Sequence, residues 1–254
     1  MVLTIDIGNT TIGIGIFSEN ILCSYEKISS TEVLTHSAYI KKLKNIFETQ
    51  GLSVASLEGS IISSVVPGIT PIFQRALDEW SEKPVLVLSH EMKLGIEMKV
   101  ERPEKVGCDR IADAVAAAME YSLPLITIDM GTATTINVVD EQHNFRGGII
   151  MPGVGTANQA LLGKTAQLSG GDMDMPTHTI GINTEECITS GMIYGNACAI
   201  DGLIARINEE LGSACTVIAT GGYAKTVIPY CKTNIILDEH LLMKGLKILF
   251  HINK

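Results

Sequence analysis

Val2-Leu3-Thr4-Ile5-Asp6-Ile7-Gly8-Asn9-Thr10-Thr11-Ile12-Gly13-Ile14-Gly15-Ile16-Phe17 is the stretch that decides the fold class. Val2 to Ile7 reads as a buried strand, and Thr11 to Phe17 as a second strand reached through a tight turn. Ser18-Glu19-Asn20 turns the chain again, and Ile21 to Ile28 reads as a third strand. The first turn is rich in Gly, Asn and Thr. Backbone N–H groups can therefore approach an anion closely, and the hydroxyls of Thr10 and Thr11 can add donors, which suits a nucleotide phosphate. An aspartate at a strand end is poorly suited to touching phosphate oxygens itself. The expected partner of Asp6 is a bridging Mg²⁺, held directly or through water; the plainer reading is an aspartate that caps its own turn.

The pattern returns once. Leu125 to Ile128 reads as a strand, Asp129-Met130-Gly131-Thr132-Ala133 as the turn, and Thr134 to Val139 as the partner strand. Asp6 and Asp129 are 123 positions apart (129 − 6), beyond the period of a solenoid, so the overlay implies a duplicated domain. The expected division is 1–112 and 113–254, each with one phosphate loop, the two loops facing each other across a cleft and clamping one triphosphate. Between the strands, helical spacing of Ile40, Leu43, Ile46 and Phe47 predicts a helix from His36 to Gln50, and helices are also expected from Ile69 to Trp80, Arg110 to Met119, Asn158 to Leu162, Thr184 to Leu211 and His240 to Phe250. Strands are expected from Ser60 to Val66, Val85 to Leu88, Asn144 to Ile150 and Val217 to Ala219. The alternation makes the chain α/β.

Composition narrows the function classes. The net charge is −9, with 19 basic residues scattered among 28 acidic ones, so no basic surface is available for nucleic acid, and any phosphate must be held locally. The six cysteines are widely spaced, with no CxxC pair, which suits reduced thiols in a cytoplasm. No run of about 18 apolar residues and no leader are evident, so no membrane is expected. Neither a Walker-type nor a Rossmann-type glycine motif is present, and both of those routes to a nucleotide are poorly supported.

Three further segments carry candidate chemistry. In Gly107-Cys108-Asp109-Arg110 an Asp beside an Arg precedes a helix, so Asp109 can orient or deprotonate an acceptor hydroxyl, and Arg110 can bind a carboxylate bidentately. An ordinary N-cap is the competing reading for Asp109. Gly147-Gly148-Ile149-Ile150-Met151-Pro152-Gly153-Val154-Gly155 reads as a strand running into a flexible Gly-rich loop. Thr220-Gly221-Gly222 would let backbone lie flat against an adenine or ribose. Cys108 reads as a small packing group rather than a nucleophile.

Taken in order and spacing, these segments, with Thr165-Ala166-Gln167-Leu168 and Gly181-Ile182-Asn183-Thr184, resemble the type III pantothenate kinases over nearly the whole chain. The resemblance implies an actin-like (ribonuclease H-like) fold of two similar domains, each with a central mixed sheet. It implies ATP-dependent phosphorylation of pantothenate to 4′-phosphopantothenate, the first step of coenzyme A synthesis, in a cytoplasmic homodimer. On the same ground Asp109 is the base; Gly107, Cys108, Arg110, Thr184 and Val100 belong to the substrate site. Asp6, Ile7, Gly8, Asn9, Thr10, Thr11, Ile12, Gly13 and Thr132 hold ATP, Asp6 faces Mg²⁺, and Asp129 holds a monovalent cation, K⁺ or NH₄⁺, where spacing alone reads it as a second magnesium-side carboxylate. Val100 is a departure, because the family often has a Tyr there. The alternatives are an actin-like kinase for another small hydroxylated substrate and a non-catalytic regulatory homologue.

Overall fold

The computed structural model describes residues 1–163, 176 and 178–254. Thr165-Ala166-Gln167-Leu168 lies outside the described residues. The chain divides into two compact units, Met1–Met119 with His240–Lys254, and Glu120–Glu239.

In the first unit β1 (Val2–Ile7) and β2 (Thr11–Ser18) form the expected hairpin, with Asp6 opposite Gly13 and Ile7 opposite Ile12. β3 (Ile21–Ser29) continues it antiparallel. β4 (Gly59–Ser64) and β5 (Val85–Val87) add in parallel on the far side, giving the order β3-β2-β1-β4-β5. Strand alternation divides β1 between two faces. Leu3, Ile5 and Ile7, with Ile12, Ile14 and Ile16, pack against α1 (His36–Thr49) and α2 (Thr70–Ser81) through Tyr39, Leu43, Phe47, Phe73, Ala76 and Leu77. Each such aliphatic side chain contributes about 1.5–3 kcal/mol when fully buried. The short strand β6 (Glu97–Met98) and α3 (Cys108–Glu120) follow.

The second unit repeats this topology. β7 (Leu125–Met130), β8 (Ala133–Val139) and β9 (Asn144–Pro152) run antiparallel, and β10 (Thr216–Thr220) and β11 (Ile236–Leu237) lie parallel to β7, in the order β9-β8-β7-β10-β11. Between β9 and β10 stand α4 (Val154–Gly163) and α5 (Thr184–Leu211); α6 (Ala224–Val227) follows β10. Ile193, Ala197, Ile200, Ile204 and Ile207 recur along α5 at spacings of three and four and meet Ile126, Ile128 and Met130. A reciprocal cap starts α5: Asn183 Oδ1 accepts Glu186 N–H at 2.8 Å while Glu186 Oε1 accepts Asn183 Nδ2 at 2.7 Å. Gly212, at φ 70°, ends it. No helix among the described residues is long and apolar enough to cross a membrane.

The chain finally returns to the first unit as α7 (Leu241–Asn253), which packs on β1 and β4. Thr4, on the β1 face opposite the α1 side, donates its hydroxyl to Met243 Sδ at 3.3 Å. Gly245 lies so close to α3 that a Cβ there would come 2.0 Å from the Ala112 carbonyl oxygen. This packing draws the compact units differently from the expected 1–112 and 113–254: residues 113–119 of α3 stay with the first unit, and 240–254 come back to it.

One expected element is corrected. The Gly-rich segment after β9 is not a flexible loop, because α4 begins at Val154, four residues before the expected helix at Asn158. The Ala157 N–H donates to the Gly153 carbonyl at 2.9 Å, which starts the helix. Its glycines serve close approach: a Cβ on Gly155 would lie 2.4 Å from the Tyr223 hydroxyl, and one on Gly153 2.2 Å from the Gly131 carbonyl oxygen.

Candidate active site

In the first unit the site grows from the carboxyl ends of two parallel strands. Asp6 is the penultimate residue of β1 and pairs with Ser63 of β4, whose buried hydroxyl donates to Asp6 Oδ1 at 2.9 Å. The Val65 N–H donates to the Ile7 carbonyl at 3.0 Å, holding the chain after β4 beside the Gly8–Thr11 turn. That loop closes through Gly8 N–H to the Thr11 carbonyl at 2.9 Å, leaving Asn9, Thr10 and Thr11 exposed. Ile7 and Ile12 are fully buried in the core, so they can serve a nucleotide only through their backbone. Gly13 is covered, since a Cβ there would come 2.7 Å from Met243 Cε.

Helix α3 brings its amino end to the same place. Gly107 is its cap, its carbonyl accepting Ile111 N–H at 3.2 Å, and Asp109 is the second helical residue, its Oδ1 accepting Arg110 N–H at 2.8 Å. A carboxylate is favoured at this end of a helix dipole. Cys108, the first residue of α3, is largely shielded from solvent. Burial pushes its thiol up, a hydrogen bond with the Ser64 backbone pulls it partly back, and the charges of Asp109 and Asp6 raise it further. Its Sγ donates to the Leu88 carbonyl at 3.1 Å, so Cys108 is a packed thiol as expected. Burial lowers the pKa of Arg110, and Asp109 opposes that shift. Val100 is half-buried in this unit. The amino end of α3 comes to the end of β1 through Val65, whose N–H donates to the Ile7 carbonyl at 3.0 Å and whose Cγ1 would lie 3.8 Å from a Cβ on Gly107, with Gly107 and Arg110 on either side of Cys108 and Asp109.

The second unit carries its own loop. Asp129 is the penultimate residue of β7, pairs with Thr135 of β8 and Thr220 of β10, and so occupies the position that Asp6 has in the first unit. The hairpin is one residue shorter: residues 131–133 separate the last paired positions Met130 and Thr134, where residues 8–11 separate Ile7 and Ile12. Thr132 is exposed at the tip. Gly221, at φ 93°, approaches so closely that a Cβ would lie 2.4 Å from Asp129 Oδ1 and 2.5 Å from Met130 N, and the Tyr223 N–H donates to the Met130 carbonyl at 3.1 Å. Thr220-Gly221-Gly222 is therefore a brace of the Asp129 loop. Thr184 is exposed as the first residue of α5.

Sequence reasoning missed the hydroxyls that hold these loops. Ser63 and Ser64 end an otherwise apolar strand, a weak signal for a polar site at its carboxyl edge. Ser30, whose hydroxyl donates to the Gly8 carbonyl at 2.7 Å, and Thr156, whose hydroxyl donates to the Thr132 carbonyl at 2.7 Å, carry no local signal.

Comparison with known proteins fits this geometry. The family model for type III pantothenate kinase matches residues 2–206. A type III pantothenate kinase of Exiguobacterium sibiricum is 39% identical over 255 residues, covering 100% of each chain. Among solved structures, a conserved putative Baf family transcriptional activator from Campylobacter jejuni superposes with a TM-score of 0.63 at 16% identity, covering 98% of this chain and 97% of its own. A putative 2-dehydro-3-deoxygalactonokinase from Sinorhizobium meliloti gives 0.57 at 12%, covering 99% and 96%. These structural likenesses bear on the fold, which is the actin-like α/β fold of two mixed sheets. On the match of the family model and the full-length relative, this chain belongs to the type III pantothenate kinase family.

Proposed function

We propose that this chain transfers the γ-phosphoryl group of ATP to the primary hydroxyl of pantothenate, forming 4′-phosphopantothenate and ADP, the first step of coenzyme A synthesis. One observation supports this reading above the rest: the ends of β1 and α3 that carry Asp6 and Asp109 meet at Val65, whose N–H donates to the Ile7 carbonyl at 3.0 Å and whose Cγ1 would lie 3.8 Å from a Cβ on Gly107. Two carboxylates in one neighbourhood then serve two roles. Asp109 accepts the hydroxyl proton as the oxygen attacks phosphorus and the bond to the ADP oxygen breaks. Asp6 faces the metal side. Arg110, half-buried beside Asp109, holds the carboxylate of pantothenate. Gly107 and Cys108 line the substrate site, and Val100 and Thr184 contribute to it.

The exposed tip of the first loop, Asn9 to Thr11, and Thr132 of the second bind the phosphates. Among the described residues no three His, Cys, Asp or Glu side chains form a ready-made cage. Asp6 suits Mg²⁺ nonetheless, because that ion is commonly held by one or two carboxylates with water and substrate phosphates, and Ser63 orients this carboxylate. When bound, Mg²⁺ neutralises charge on the phosphates. Asp129 holds a monovalent cation, K⁺ or NH₄⁺, in this reading, its carboxylate supplying one oxygen ligand and lying directly against the backbone of Gly221. A homodimer in the cytoplasm completes the reading. Its test is ADP release in a coupled assay with Mg²⁺ and K⁺. Release that depends on pantothenate is the expected result; no release, while an authentic pantothenate kinase turns over in the same mixture, would remove the assignment.

A further inference from the structure

Both phosphate loops are held from behind by the same device. In the first, the Ser30 hydroxyl donates to the Gly8 carbonyl at 2.7 Å and the Ser30 N–H donates to the Thr10 carbonyl at 3.0 Å. In the second, the Thr156 hydroxyl donates to the Thr132 carbonyl at 2.7 Å and the Gly153 N–H donates to that same carbonyl at 3.1 Å. Each loop is thus anchored by one hydroxyl together with one backbone N–H. The backbone anchors are equivalent in the two units: Ser30 is the first residue after β3, Gly153 is the first after β9, and each N–H reaches the residue just before the second strand of its hairpin. The hydroxyls are not equivalent, since Ser30 supplies the first itself and holds the Gly8 carbonyl, whereas the second comes from Thr156, in the first turn of α4, and holds the Thr132 carbonyl.

Peptide planarity gives the device a consequence. The only cis peptide among the described residues is Leu123-Pro124, so in every loop peptide the carbonyl and the following N–H point in opposite directions. Fixing the Gly8 carbonyl toward Ser30 directs the Asn9 N–H away from Ser30. Fixing the Thr132 carbonyl toward Thr156 directs the Ala133 N–H away from α4. Rotation of either peptide would cost the hydroxyl its bond and swing a carbonyl dipole toward the side where an anion is to bind. Anion sites built from backbone N–H groups depend on that orientation being set before the ligand arrives.

We propose that Ser30 and Thr156 are positioning residues for ATP, each hydroxyl locking one peptide of its phosphate loop so that the next N–H faces the phosphates. The proposal rests on the reading that both loops bind ATP. Thr156→Val keeps the side-chain shape and removes the donor, Thr156→Ser restores it, and Ser30→Ala tests the first loop. Binding of a non-hydrolysable ATP analogue is measured by calorimetry without pantothenate, and steady-state kinetics give KM for each substrate. Losing one such bond is expected to raise Kd and KM for the nucleotide about 5- to 10-fold. KM for pantothenate stays within about twofold, and Thr156→Ser binds within about twofold of the natural protein. Unchanged nucleotide Kd in Thr156→Val and Ser30→Ala overturns the proposal; so does a parallel rise of both KM values with a lowered Tm, or failure of Thr156→Ser to rescue. A natural protein that binds the analogue yet leaves pantothenate untouched refutes the substrate reading and leaves the positioning roles to be judged by Kd.

Discussion

Replacing Gly107 by alanine separates the position of the Asp109 carboxylate, proposed above as the base, from its presence. A Cβ at Gly107 would lie 2.4 Å from Asp109 Oδ1, while the nearest atom outside Asp109 is Val65 Cγ1 at 3.8 Å. The new methyl group therefore strikes one side chain and nothing else. Ordinary contact begins at 3.4 Å, so the carboxylate must retreat by about 1 Å, a misplacement that can cost on the order of 10²-fold in rate, or about 2.7 kcal/mol of barrier. Stability changes little. Gly107 is not among the positive-φ glycines, so alanine gains about 0.4–1 kcal/mol through the unfolded chain, which offsets roughly 1 kcal/mol for a weakened Arg110 N–H bond to Asp109. The assay is coupled ADP release with a thermal melt on the same preparation. The expected outcome is kcat down about 100-fold with Tm within about 3 °C. A kcat within threefold of the natural protein, at unchanged Tm, would refute the argument that Asp109 must sit where Gly107 leaves room for it.

Two other perturbations follow from the same structure. Ser63→Ala removes the hydroxyl that holds Asp6 Oδ1 and is expected to raise KM for ATP about 5- to 10-fold while sparing KM for pantothenate; equal effects on both substrates would contradict the metal-side role of Asp6. The thiols give a pH dependence. Burial raises Cys108, Cys215 and Cys231, the last pushed up to about 12, with Asp201 and Cys198 adding to the burial effect at Cys231. A folded pKa above the unfolded one favours the protonated thiol in the folded chain, so this stability is complete below the ordinary value of 9.0 and is lost as pH rises toward 12. Urea melts across that window are expected to show a falling midpoint, and alkylation near pH 8 to reach the exposed Cys23, Cys187 and Cys198 before Cys231. Equal labelling rates would contradict the burial argument.

The duplicated architecture was legible because it rests on short-range pattern. The buried strand Val2 to Ile7, the two Asp-x-Gly turns and the long helix from Thr184 to Leu211 are local signals, and each recurs in the structure where it was expected. What escaped the reading depends on partners distant in the chain. Glycines at 153 and 155 look like a loop until Tyr223 and the Gly131 carbonyl are seen to need the space. The return of α7 to the first unit is decided by Met243 meeting Thr4 and by Gly245 meeting Ala112, contacts without a sequence signature. The site follows the same division: Asp6, Asp109 and Asp129 stand in recognisable motifs, whereas Ser30, Ser63 and Thr156 are ordinary hydroxyl residues until the fold aims them at a loop.

The central claim is that Asp109 accepts the proton of the pantothenate hydroxyl. Asp109→Asn, compared with the natural protein for both turnover and calorimetric ATP binding, tests it most directly, because the amide keeps the shape and loses the base. Turnover lower by about 10²- to 10⁴-fold with ATP affinity within about threefold is the predicted result. Turnover near that of the natural protein would contradict it.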